Sequence, residues 1–285
     1  MIIAGGTGGN VEVMIGSKRL KKLPYYMSAT SMVMLNGTIL ICGGKNNEKS
    51  CLQLNSGVWI EHSMLNEERF WHSVASTPTA TFMFVGRYSF KTYEYLPKNS
   101  TTWHIGKTGI PGNGFFYGSA IVSKSEQEIW LIGGYRTEKR ILKFNVNDHT
   151  FHEMTTQLKM ERYGHRCCFI PNTNKIMITG GKHENSSGLV GISSTEVYDT
   201  EDGSITMASP MNFARFHHGM GVITINGEDR LAVFGGFDGT KLLDSIELYN
   251  IRTKIWEISN IRLNGRGQEF GFLDIKLADI IPEYT

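Results

Sequence analysis

Short, almost wholly apolar runs recur along the chain, and each ends on Gly-Gly or on a single glycine. They are Ile2-Ile3-Ala4 before Gly5-Gly6, Ile39 to Cys42 before Gly43-Gly44, and Phe82 to Val85 before Gly86-Arg87. Ile129 to Ile132 before Gly133-Gly134, Ile176 to Thr179 before Gly180-Gly181, and Leu231 to Phe234 before Gly235-Gly236 continue the series. The glycines return at intervals of roughly 40–55 residues, a period that marks a repeat architecture. Runs that are apolar at every position, without alternation, predict strands covered on both faces. Glycine at the strand end supplies positive φ and room for a tight backbone turn. A phosphate cradle is a poor reading, because no Lys-Ser/Thr follows the glycines and no helix-forming segment opens after them.

The polar stretches between the runs keep a common order. After the glycines come a loop, a strand ending near an aromatic, a further loop, and a Trp or its substitute. Thr195-Glu196-Val197-Tyr198-Asp199 leads to Ile205 with the spacing by which Ser245-Ile246-Glu247-Leu248-Tyr249-Asn250 leads to Trp256. Before the next apolar run stands Arg-x-x-His, at Arg69 to His72, Arg162 to His165 and Arg215 to His218, each shortly after a Leu or Met. This order of Gly-Gly, Tyr-Asp or Tyr-Asn, Trp, Leu or Met, Arg and His resembles the kelch repeat, and the resemblance covers essentially the whole chain. The run from Cys42 through Trp59 to His72 is similar to the divergent repeats of animal proteins composed only of kelch repeats. The resemblance implies an all-β fold, a six-bladed β-propeller of four-stranded antiparallel blades forming a single domain over residues 1–285. The chain starts on the glycine strand of the first blade, without the innermost strand found in the others. The alternating segment Gln268 to Ile275 is expected to supply that strand, to pair with Ile2 to Ala4, and so to close the ring and remove its edges.

Composition fits such a body. The 285 residues include 32 glycines, and 20% charged residues with a net charge of +2 give no electrostatic footprint for nucleic acid. No apolar stretch reaches membrane length, so no membrane partner is expected. If the hairpin after Gly44 turns about Asn46-Asn47, Cys42 and Cys51 face each other, and a disulfide or two packed thiols both fit that placement. Cys167 and Cys168 are neighbours on one strand and point to opposite faces, which assigns both to packing. A cytoplasmic location is the default for a sequence that enters a strand at once, with an extracellular one implied if Cys42 and Cys51 are oxidised and the start is incomplete.

Catalytic chemistry is thin. His72, His165 and His218 stand on different blades, where a kelch histidine holds backbone at the strand entrance, and the adjacent His217 and His218 would face opposite ways. Neither a metal nor a cofactor is expected, and no Ser-His-Asp order or paired carboxylates stand out. Interaction chemistry is more visible. With strands alternating in direction, the loop after each Gly-Gly and the loop entering each innermost strand emerge on one face. That face would gather Tyr88, Tyr135 and Arg136 with Arg69, Trp71, Phe116, Tyr117, Arg162, Tyr163, Arg215 and Phe216. Aromatics and arginine are the residue types that dominate protein interfaces. The expectation is a monomeric, non-enzymatic scaffold or adaptor whose loop-rich face receives a peptide or loop of another protein, an acidic one in view of the arginines. Pairing of those arginines with a neighbouring Glu or with carbonyls is open as well. The alternative function is a small-molecule enzyme of the six-bladed kelch type, similar to sugar-acid epimerases, which requires Arg69, Arg162 and Arg215 to converge with acids and histidines around one central pocket.

Overall fold

In the computed structural model the described residues are 23–25, 27–86, 91–109, 118–137, 139–185 and 188–263, with the backbone of short strands at 2–4, 14–15, 18–19 and 271–273. All regular structure among them is β. Five four-stranded antiparallel blades follow one another at 31–64, 73–107, 119–153, 166–208 and 219–262, each a meander in chain order. The strand before the glycines lies second in every blade, and its neighbours explain why it does not alternate. In the 166–208 blade Ile176 and Ile178 pack with Trp130, Ile132 and Leu158 of the preceding blade. Met177, between them, packs with Met220, Leu231 and Val233 of the following blade. Both faces of the strand are therefore covered, as a stack of blades requires.

The chain divides into two compact units, 1–116 with 269–285, and 117–268. In the first, the strands Ser31–Leu35 and Ser73–Ser76 that open two consecutive blades are neighbours. In the second, Ser119–Val122, Arg166–Phe169 and Gly219–Ile225 neighbour one another in turn.

The glycine cadence predicts six blades, and five full ones are present among the described residues. In the first period the described strands are Ile2–Ala4, Met14–Ile15 and Lys18–Arg19, which with Gly271–Leu273 form one sheet. Ile2–Ala4 also pairs antiparallel with Gly271–Leu273, Ile2 opposite Leu273. Gly5-Gly6 and the rest of the 268–275 segment lie outside the described residues.

The third glycine pair is displaced by one position. Strand Ala80–Phe84 stops early, so Val85 (φ 45°) and Gly86 (φ 131°) occupy the places that Gly43 (φ 61°) and Gly44 (φ 102°) hold in the 31–64 blade. Gly86 is therefore the second residue of the pair rather than the first. A β-branched residue at positive φ is a genuine outlier, which is why the cadence misplaces it. The 166–208 blade alone among those described adds a hairpin after its glycines, Lys182–Asn185 with Gly188–Gly191. Cys42 and Cys51 are direct partners on neighbouring strands, and their sulfurs are bonded at 2.06 Å.

Candidate interaction face

The repeat arginines are inside the protein. Arg69, Arg162 and Arg215 are each 0% exposed, which corrects their assignment to a partner-binding surface. Each is tied within its own blade by one recurring arrangement. Arg162 donates from Nη1 to the carbonyls of Gly180 (2.6 Å) and Ser194 (3.1 Å) and pairs through Nη2 with Glu196 at 2.7 Å. Arg215 does the same with Gly235 (2.7 Å), Ser245 (3.2 Å) and Glu247 (2.7 Å). Arg69 reaches Val85 (2.9 Å) and Thr92 (3.2 Å) and meets Glu94 through Nε at 2.9 Å. Each carboxylate also accepts backbone N–H groups from the turn ahead of its arginine: Asn66 and Glu67, Lys159 and Met160, Asn212 and Phe213. Burial pulls the three guanidinium pKa values down, and the partner glutamates oppose it. Each guanidinium is thus engaged inside its own blade.

The turn that begins with each arginine docks against the glycines of the preceding blade. Gly44, Gly134 and Gly181 donate their N–H to the carbonyls of Arg69, Arg162 and Arg215 at 2.9–3.1 Å. A Cβ on Gly43 would stand 2.5 Å from the Arg69 carbonyl and 2.8 Å from the His72 ring, so the first glycine is required by contact as well as by φ. The third residue of each Arg-x-x-His turn has positive φ: Trp71 56°, Gly164 66° and His217 53°. The closing histidine turns inward. Burial pushes His72 down to about 3, the Arg69 charge adding to the effect and the Cys42 carbonyl opposing it. His165 and His218 lie well below the ordinary range for the same leading reason, and His218 Nε2 stands 2.9 Å from Thr179 Oγ1. These imidazoles are neutral members of the blade joint.

The two loop sets do meet. Isolated bridges join Ser28 to Lys45, Tyr163 to Lys182 and Phe216 to Phe237, so each post-glycine residue pairs with the loop entering its own blade. It also packs on the aromatic of the next blade. Lys45 lies 4.6 Å over Trp71 in the first unit. In the second, Tyr135 meets Tyr163 edge-on at 5.2 Å and Lys182 lies 4.5 Å over Phe216. Phe216 in turn meets Phe237 at 5.4 Å. Tyr163 and Phe216 are buried beneath this row, Trp71 and Tyr135 are half-buried, and Arg136 is exposed beside Tyr135. Tyr88, Phe116 and Tyr117 lie outside the described residues. Lys182 and Phe237, placed by the bridges, complete this row.

The last blade matches the kelch motif model over residues 218–259, from the histidine at its entrance to its outer strand. A kelch repeat-containing protein of Dictyostelium discoideum is 27% identical over 158 residues, a stretch that takes in 54% of this chain and 23% of that protein. The glycine joint, the Arg-x-x-His turn and the four-stranded blade recur outside residues 218–259 in the same form, so the other blades are similar to the one that matches the kelch motif.

Proposed function

We propose that the chain is a protein-interaction module whose Gly-Gly face receives a segment of a partner protein, and that this segment is acidic. The observation that carries the reading is the row Tyr135, Tyr163, Lys182, Phe216 and Phe237, in which loops of three consecutive blades pack together, Tyr163, Lys182 and Phe216 buried beneath the half-buried Tyr135 and Phe237, with Arg136 at its exposed edge. Buried rings beneath half-buried ones give a rigid platform, and rigid aromatic anchors supply most of the energy in protein interfaces. Tyr88, Phe116 and Tyr117 belong to the same loop sets and extend the proposal. The sheet of Ile2–Ala4 with Gly271–Leu273 is proposed as the sixth blade, closing 1–285 into a single propeller domain.

The test is capture of partner by the immobilised full chain. Tyr135→Ser with Arg136→Glu is expected to abolish capture while leaving the melting temperature within a few degrees. Lys254→Ala, in the turn at the other end of its blade, is expected to capture normally. Capture should also weaken with added salt, since charge steering is screened over about 10 Å. Full capture by the folded double variant would move the recognition surface to the opposite face.

A further inference from the structure

The residue that opens the first strand occupies one structural place in all five blades: Ser31 opposite Cys42, Ser73 opposite Phe84, Ser119 opposite Ile132, Arg166 opposite Thr179 and Gly219 opposite Phe234. Four of the five are serine or glycine. Where the serine reaches the next blade it bridges the joint, Ser31 Oγ donating to the His72 carbonyl at 2.8 Å and Ser119 Oγ accepting from the Cys167 N–H at 3.2 Å. Arg166 is therefore no part of the repeat's own machinery. It also differs from the repeat arginines in what it touches. Among the described residues its guanidinium makes one hydrogen bond, from Nη1 to the His165 carbonyl at 3.1 Å, and no carboxylate lies within ion-pair reach. The Nε and Nη2 edge, the fork that matches a carboxylate, is left open.

The surroundings are built for an anion. Arg166 shares a strand face with Cys168, which packs toward the 219–262 blade, so the side chain stands between two blades at the loop-face end of the joint. His217 and His218 enter the same joint, and the Arg166 charge helps to hold His218 neutral. Burial lowers the Arg166 pKa, and the neighbouring Cys167 thiol opposes it. Arg166 is half-buried, and a partly desolvated charge without a carboxylate partner is costly in proportion, a cost that an entering carboxylate would relieve.

We infer that Arg166, beside His217 and His218, is a carboxylate-binding anchor that grips one Asp or Glu side chain of the acidic segment proposed above. The identity of the ligand as a protein segment rests on that proposal, whereas the anion site itself does not. The test uses the full chain, acetate against chloride at equal ionic strength, and a hexaglutamate peptide, with melting temperature and direct titration as readouts. Arg166→Ser installs the residue of the sibling blades and is expected to melt no lower than the wild type, as is Arg166→Met. Both are expected to lose the acetate response and to bind hexaglutamate at least about tenfold more weakly. Variants that melt lower while keeping the anion response would make the guanidinium structural and overturn the inference, as would a wild type indifferent to acetate. Hexaglutamate binding untouched by both variants would overturn the anchor and leave the face reading standing. An acetate response lost in the variants, with no hexaglutamate binding by the wild type, would sustain the anion site and refute the acidic-segment reading.

Discussion

At the scale of single residues the chain contains its own control for the buried ion pairs. In the 31–64 blade the places of Arg162 and Glu196 are taken by Met27 and Leu52, both fully buried in one cluster. The blade thus tolerates an apolar pair where three of its siblings use a charged one, in keeping with the near-neutral exchange of buried ion pairs for packed side chains. Arg162→Met alone strands Glu196 without its cation and should cost about 3–5 kcal/mol. Adding Glu196→Leu should recover a large part of that loss, and urea unfolding of the two variants decides it. The histidines give a second test. His72 is depressed from 6.5 to about 3, so it binds fewer protons folded than unfolded. Its contribution is complete above the unfolded value and is lost as pH falls toward the folded one, at up to about 1.4 kcal/mol per pH unit for each such histidine. His165 and His218 act in the same direction. Acid unfolding should therefore begin below about pH 6.5 and become shallower in a His72→Gln variant.

At the scale of elements the glycine joint couples one blade to the next. Alanine at Gly180, held at φ 60°, would place its Cβ against the Arg215 carbonyl of the following blade. The expected loss is at least about 2 kcal/mol. Gly37, at φ 77° with open space around it, should lose only the roughly 1 kcal/mol that positive φ imposes on an L residue. Thermal melts of the two variants separate contact from conformation. The joint was half legible in the sequence. Unbroken apolar runs and their glycines located the strands because both consequences, two covered faces and a left-handed turn, are local. The arginine partners were harder, since Glu94, Glu196 and Glu247 lie 25 to 34 residues from their cations. A signal was present all the same, in Thr92-x-Glu94, Ser194-x-Glu196 and Ser245-x-Glu247, where each Ser or Thr carbonyl and each Glu meets one guanidinium. Val85 carried no such signal, because side-chain preference points to glycine at its φ.

At the scale of the whole molecule the ends of the chain are linked by backbone pairing. Gly271–Leu273 pairs with Ile2–Ala4 and also neighbours Ser31–Leu35. Deleting 268–285 should expose both edges, so the product should aggregate or melt well below the intact chain. A monomeric truncation with unchanged melting temperature would refute the proposed closure. The Cys42 to Cys51 bridge bears on integrity in another way. It encloses Lys45 and Lys49, so a tryptic cut after either lysine falls inside a covalent loop. The nicked chain would migrate as one species until reductant is added and only then separate into two, so an apparently intact band without reductant is no proof of an unbroken backbone.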